Sequence, residues 1–146
     1  MRSAADFEVI YKRINSLTPS SGRLWGKMSV SQMLAHCQRP FAVALGLDNS
    51  KRGLVSYLFG SMAKRSFMGT NEFKKNLPTA PGFKITHEPG FEEERSKLLE
   101  DIHQFLAIDK SVLAAKVHPF FGPMTDNEWY ELMYKHLDHH LKQFGV

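Results

Sequence analysis

Apolar residues recur at alternating intervals of three and four along four separate segments of this 146-residue chain. This spacing gives each segment, as an α-helix, one apolar stripe that has to be buried against another helix. Two segments begin with capping-box signals, Ser29 with Gln32 and Thr125 with Glu128, which indicate where those helices start. No stretch shows the strict alternation of a half-buried strand. The sequence therefore predicts an all-α protein.

The four predicted helices are long enough to form a four-helix bundle. A long crossover connection, residues 47–91, separates the second helix from the third and permits them to be parallel neighbours. Its segment Leu54–Phe67 is apolar enough for a short extra packed helix. The predicted helices run from about Phe7 to Leu17, from Ser29 to about Leu47 with a kink at Pro40, from Glu92 to about Ile108, and from Thr125 to about Phe144.

Composition limits the class of protein. Hydrophobic residues make up 42% and charged residues 23% of the chain, which is the composition of a globular domain and not of a disordered segment. We expect a single domain over residues 1–146, because this length supports one core and not two. The sequence has no apolar run long enough to cross a bilayer and no signal peptide, so we expect a soluble cytoplasmic protein. The single Cys37 excludes CxxC zinc or redox motifs.

The net charge of +4 is unevenly distributed. Residues 51–84 contain seven Lys or Arg and one Glu, so this stretch carries +6 and the rest of the chain −2. Such a stretch can be a solvated basic surface, or it can attract an anionic small molecule or a membrane surface. The absence of a recognisable nucleic-acid-binding motif argues against DNA or RNA as the partner.

Two histidines of the fourth predicted helix, His136 and His140, lie one turn apart on its apolar stripe. An i, i+4 pair is the spacing with which one helix supplies two ligands to one transition metal. His36, on the apolar side of the second predicted helix, could be a third ligand from across the bundle, or it could simply be a hydrogen-bonded core histidine. Any metal site in this chain has to use histidine or carboxylate ligands, since Cys37 is the only cysteine.

The other candidates have weaker claims. His139 lies at the edge of the stripe, where it could be exposed or could contact the ligands. His118, in His-Pro-Phe-Phe-Gly, could anchor its loop or contact the site. Cys37 is turned about 100° from His36 on a helix and is predicted to be a buried, inert thiol. No Walker loop, dinucleotide fingerprint or GxSxG elbow occurs, so nucleotide chemistry and serine hydrolysis have no support.

Two segments of the chain resemble the DinB-like or YfiT-like superfamily of metal-dependent four-helix bundles. The first segment is Trp25–His36, with its Met-Ser turn followed by a histidine on the second predicted helix. The second and more specific one begins at His118-Pro119-Phe120-Phe121-Gly122 and continues through Glu128-Trp129 to the stretch Tyr134–Gly145. Together they cover about 40 residues, and the helical pattern extends the likeness over most of the chain.

The resemblance implies an up-down-down-up bundle and a metal held by His36, His136 and His140. Three imidazoles leave coordination positions open, which suits catalysis, and they favour Zn, Ni, Fe or Co over Mg or Ca. Members of the superfamily include thiol-dependent transferases and isomerases, so attack by a metal-bound low-molecular-weight thiol is one implied mechanism, and metal-activated hydrolysis is the other. A bundle that binds a metal or small ligand without turnover is the alternative.

The catalytic residues remain open at this stage. The sequence identifies no general base; Gln32, one turn before His36, could hold water or substrate but cannot accept a proton. We expect a small-molecule substrate, with an anionic one suggested by the basic stretch, and a homodimer is compatible with the sequence.

Overall fold

The computed structural model describes residues 2–146, and most of them are helical, as predicted. Within these residues, two strands of two residues each, β1 (Val117–His118) and β2 (Gly122–Pro123), pair antiparallel. No helix among residues 2–146 combines the length and the apolar character needed to cross a membrane. The α-helices are α1 (Ala4–Ser16), α2 (Val30–Ala44), α3 (Leu54–Met68), α4 (Phe91–Leu106), α5 (Lys110–Ala114) and α6 (Asp126–Gln143), with one 3-10 turn at Pro81–Phe83.

Both predicted capping boxes define helix starts. The backbone N–H of Gln32 donates to Ser29 Oγ at 3.1 Å, and the Ser29 N–H donates to the Gln32 side-chain oxygen at 3.0 Å. The same exchange between Thr125 and Glu128 starts α6. Helix α2 continues through Pro40 to its last residue, Ala44. The helices that carry the candidate histidines are thus fixed at their N-termini by local sequence.

The core lies between α1, α2, α4 and α6. Helix α2 packs against α4 and α6, and α1 packs against the same two helices. The apolar stripes predicted from the sequence face this core: Phe7, Ile10 and Ile14 of α1 are fully buried. On α4 the predicted inward residues Leu98, Ile102 and Phe105 are buried, while Leu99 and Leu106 are partly buried. This packing brings the middle of α2 against the C-terminal half of α6.

Helix α3 forms where a short packed helix was predicted, but its packing face is unexpected. Only its small residues Ser56 and Gly60 are buried. Ser56 Oγ donates to the carbonyl oxygen of Phe120 at 2.6 Å, and a Cβ atom at position 60 would lie 2.2 Å from that same oxygen. Only glycine allows this close approach. The large apolar side chains in the first two turns of α3 consequently face away from the protein, while Phe67 and Met68 at its C-terminal end are partly buried against the core.

The segment between α4 and α6 contains two features that the sequence did not predict, α5 and the β1–β2 hairpin. Strands of two residues are too short for alternation to be recognised. The hairpin turn is organised by His118, whose Nδ1 accepts the backbone N–H groups of Phe120 and Phe121, both at 3.0 Å. The loop-anchoring interpretation of His118 is confirmed, and its ring packs against Trp129 of α6.

Candidate metal centre

His36, His136 and His140 lie together between α2 and α6. Their ligand nitrogens all lie within 4.8 Å of one another, and the Nε2 atoms of His36 and His136 are 3.0 Å apart. The ring centroids are 4.7 to 4.9 Å apart in each pair. His36 and His140 are buried, and His136 is partly buried. The structure therefore brings together the three residues that the sequence analysis nominated.

The helices explain this convergence. One turn of α6 separates His136 from His140, so their side chains project from the same face. Trp129, Met133 and Phe144, which share that stripe, are buried in the core. Since α2 packs against α6, His36 meets the pair from the opposite side.

The second ring nitrogen of His36 is fixed by the backbone. Its Nδ1 lies 2.9 Å from the carbonyl oxygen of Phe83, in the 3-10 turn. Because a carbonyl can only accept, Nδ1 carries the proton and donates it, which leaves a lone pair on Nε2. That lone pair is directed towards His136. A backbone carbonyl bonded to the outer nitrogen is the arrangement that orients metal-ligating histidines.

Gln143 plays the corresponding part for His140. The Gln143 side-chain nitrogen donates to the Trp25 carbonyl at 2.9 Å, so its oxygen is the atom 2.8 Å from His140 Nδ1. His140 Nδ1 therefore donates, and Nε2 keeps its lone pair. Gly26 permits this contact, since it has φ of +81° and a Cβ there would lie 2.5 Å from the Gln143 nitrogen.

Burial keeps the three rings neutral. It lowers the pKa of His36, and it lowers the pKa of His140 to about 3. The pKa of His136 is lowered well below its ordinary value by burial and then by the neighbouring imidazoles, which disfavour a positive charge. Neutral imidazole is the form that binds metal. The rings are thus in the protonation state that ligation requires at neutral pH.

The donor set fits a transition metal. In a tetrahedral site with metal–nitrogen distances of 2.0–2.1 Å, ligand nitrogens lie about 3.3 Å apart. The observed separations, 3.0 Å for one pair and at most 4.8 Å for any pair, bracket that value. Among residues 2–146 this cluster contains no carboxylate, and an all-imidazole set suits Zn, Ni, Fe or Co.

The remaining sequence candidates lie around this cluster or away from it. The His139 ring contacts His140 at a centroid distance of 5.0 Å and also contacts Trp25 and Phe73, so it borders the cluster without joining it. Cys37 is buried with its thiol 3.6 Å from Met33 sulfur, and burial raises its pKa, as expected for an inert thiol. Gln32 uses its amide for the capping box and for a 3.0 Å bond to the His87 carbonyl.

A groove of about 360 Å³ lies beside His139, between α6 and the segment that follows α3. Its aromatic walls include Trp25, with the Lys75 Nζ atom 4.4 Å from the ring centroid. Lys75 therefore belongs to the part of the basic stretch that approaches the histidines. Lys64 does not, because it pairs with Glu128, eight residues and about 12 Å along α6 from His136.

The sequence analysis missed two features of the site. Gln143 could have been found, since it follows His140 by three residues and i, i+3 side chains are neighbours on a helix. The Phe83 carbonyl could not, because it is a backbone atom in a connection 47 residues from His36 and carries no sequence signal.

The fold and the cluster define an all-α protein with three close histidines that could hold one divalent metal ion. The chain belongs to the DUF1569 family, proteins of unknown function, since the family model matches residues 4–145. No curated protein and no solved structure matches the chain.

Proposed function

We propose that this protein is a metal-dependent enzyme of the DinB-like superfamily, with His36, His136 and His140 as the ligands of a divalent transition metal. The observation that carries the proposal is the convergence of three neutral imidazoles from two helices. In His36 and His140, Nδ1 donates a hydrogen bond, so Nε2 keeps a lone pair that can bind a metal ion. A buried histidine with a purely structural role requires hydrogen bonds to its ring nitrogens. It does not require two further histidines in contact with it.

The proposal includes a four-helix bundle formed by α1, α2, α4 and α6 in up-down-down-up order, as one cytoplasmic domain. Support comes from the packing of α2 and of α1 against both α4 and α6. The long connection from α2 to α4, which carries α3, has the length that a crossover between parallel helices requires.

When bound, such a metal supplies a Lewis acid that makes water or a thiol nucleophilic at neutral pH. The protein's own contribution is to hold the ligands. The Phe83 carbonyl fixes the tautomer of His36, and Gln143 fixes that of His140. The buried helix faces around the rings reduce access of bulk water on the core side.

The substrate we propose is a small molecule with an anionic group. The groove beside His139 has a volume in the range of small-molecule sites. Lys75 places a cation against its Trp25 wall. Thiol transfer, with a low-molecular-weight thiol as co-substrate, and hydrolysis remain the two reaction classes that an open three-histidine site supports.

A non-catalytic metal-binding protein is the second candidate, and one observation favours it. The ligand cluster contains no carboxylate among residues 2–146, and Gln32 is occupied by capping, so no carboxylate base is identified in the cluster. In the enzyme, the proton acceptor would have to be the neighbouring His139 imidazole, the substrate, the thiol or bulk solvent.

The test is metal analysis of protein prepared without a histidine tag, followed by a screen of electrophilic and ester substrates with and without thiols. We expect about one equivalent of Zn, Ni, Fe or Co per chain and activity that a chelator removes and the metal restores. Bound metal without turnover would select the non-catalytic candidate. If the protein bound none of these four metals, both candidate functions would be overturned.

A further inference from the structure

The outer face of α3 is the largest group of exposed apolar side chains on one element of the described structure. It consists of Leu54, Val55, Leu58, Phe59 and Met62, whose exposed fractions lie between 50% and 75%. On a helix these positions form one continuous stripe about two turns long. Scattered exposed leucines need no explanation, but a contiguous patch of this kind marks an interaction surface.

The orientation of α3 makes the patch informative. A helix that serves only to pack turns its large apolar residues inward, yet α3 buries Ser56 and Gly60 and points its leucines outward. The short contact with the Phe120 carbonyl fixes this orientation. The apolar stripe is therefore held outward by the fold.

The charge around the outer face has one sign. Residues 49–71 contain four Lys or Arg and no Asp or Glu. Arg52 donates to Ser56, and Lys64 pairs with Glu128, so both turn towards the protein. Lys51 and Arg65, at the two ends of the stripe, are exposed and form no ion pair within residues 2–146. The basic side chains of Lys51 and Arg65 thus flank the apolar stripe.

A second copy of the chain is a poor complement to this face. In an antiparallel two-fold pairing of α3, Arg65 of one chain would meet Lys51 of the other. In a parallel pairing, Lys51 would meet Lys51 and Arg65 would meet Arg65. Both arrangements bring like charges together without a carboxylate from the same segment. The complementary surface is apolar and carries negative charge.

We propose that the outer face of α3 binds a membrane surface that contains anionic lipids, with the helix lying in the plane of the interface. An apolar face inserted at the headgroup boundary with cations at its margin is how interfacial amphipathic helices bind. Lys51 and Arg65 contact the anionic headgroups, and Leu54, Leu58 and Met62 enter the boundary with the acyl chains. This inference does not depend on the metal proposal.

The test is sedimentation with vesicles of phosphatidylcholine alone and of phosphatidylcholine with 30% phosphatidylglycerol. We expect binding to the anionic vesicles, weakened by salt. Leu54→Ser/Leu58→Ser/Met62→Ser should weaken it more than 100-fold, since each buried leucine or methionine contributes strongly to transfer from water. Val9→Ser/Val112→Ser is the matched control, because these exposed side chains lie elsewhere, and its binding should equal that of the parent protein.

The double variant Lys51→Gln/Arg65→Gln tests the contribution of the two basic side chains. We expect about 30-fold weaker binding to anionic vesicles, from about 1 kcal/mol for each cation near the surface. Lys12→Gln/Lys97→Gln removes the same charge from exposed positions on α1 and α4 and should leave binding almost unchanged. Equal losses in both pairs would mean that only net charge matters and would overturn the assigned surface.

Oligomeric state, measured by light scattering, provides the competing outcome. A dimer in the parent protein that becomes a monomer with Leu58→Gln, together with no vesicle binding, would make this face a self-association surface and refute the membrane proposal. Absence of vesicle binding by a monomeric parent protein would refute it equally. Circular dichroism checks that each variant is folded; Leu58→Gln alone replaces the triple variant if the latter is not.

Discussion

The Nε2 atoms of His36 and His136 lie 3.0 Å apart, although the two residues are 100 positions apart in the chain. Because His36 Nδ1 carries the proton and donates a hydrogen bond to the Phe83 carbonyl, His36 Nε2 has a lone pair and no hydrogen. Without a metal, the contact is favourable only if His136 Nε2 carries the proton. Metal binding therefore requires His136 to carry its proton on Nδ1 instead.

This relationship makes His136 the proposed ligand with the least fixed tautomer. His36 and His140 each have an outer nitrogen bonded to an oxygen, and no such bond is found for His136 in residues 2–146. In the proposed metal site, His36 and His140 already keep Nε2 free for the ion, whereas His136 has to change tautomer. The predicted consequences of removing His136 and of disturbing His140 are accordingly different.

His136→Ala should abolish metal binding and leave the fold intact. The substitution removes one of three ligands, whereas alanine has a better helix propensity than histidine and α6 keeps its capping box. Metal content by plasma mass spectrometry should fall from about one equivalent to near zero, with an unchanged circular dichroism spectrum. His87→Ala, in an exposed loop, should retain full metal content. If His136→Ala unfolds, the histidine cluster is a structural element and the enzyme proposal loses its support.

Gln143→Met should weaken metal binding without abolishing it. The change keeps the length of the side chain but removes the oxygen that orients His140. Loss of such an outer partner typically lowers metal affinity 10- to 100-fold. Competition with a chromophoric chelator measures the affinity. Gln104→Met, on the exposed side of α4 where Gln104 bonds only to Glu100, provides the control and should not change it. Equal affinities for the two variants would contradict the orienting role.

The sequence predicted the parts of the fold that local interactions determine. The i, i+4 spacing placed His136 and His140 on one face, and the capping residues Ser29 and Thr125 located the helix starts, because both depend on residues a few positions apart. The meeting of His36 with that pair was an expectation strengthened by the family resemblance. The structure bears out the proximity of the three rings, while ligation itself stays a prediction.

What could not be predicted depends on contacts between distant segments. The apolar spacing of α3 indicated a packed helix, and the usual rule puts the large side chains inside. The opposite orientation follows from the approach of Gly60 to the Phe120 carbonyl, two residues 60 positions apart. A periodicity identifies the apolar face of a helix but not what covers it.

Gly60→Ala tests this close approach. A Cβ at position 60 would lie 2.2 Å from the Phe120 carbonyl oxygen, so α3 or the hairpin has to move. We expect a loss of about 1–3 kcal/mol in the free energy of unfolding, as for overpacking, even after the better helix propensity of alanine. Gly69→Ala, where a Cβ would meet atoms at ordinary distances of 3.5 Å or more, should change stability by less than about 0.5 kcal/mol. Urea denaturation of the two variants gives the comparison, and equal stabilities would refute the tight contact.

His118→Asn should remove part of the acid sensitivity of the fold. Burial lowers the pKa of His118 to about 4, against the opposing effect of the Asp48 carboxylate, and its Nδ1 is already occupied by two N–H donors. In the unfolded chain the pKa of this histidine is about 6.5, so between about pH 6.5 and pH 4 the unfolded state binds a proton that the folded state does not bind. The stability that the neutral ring contributes is complete above about pH 6.5 and is lost as the pH falls towards 4, by up to about 3 kcal/mol.

Asparagine does not titrate, and its side-chain oxygen can accept the same two N–H groups. Urea denaturation between pH 7.5 and pH 4 should therefore show the unfolding free energy of the parent protein falling relative to that of the variant. All other residues are the same in both proteins and cancel in this difference, so parallel pH profiles would mean that His118 does not stay neutral in the folded state.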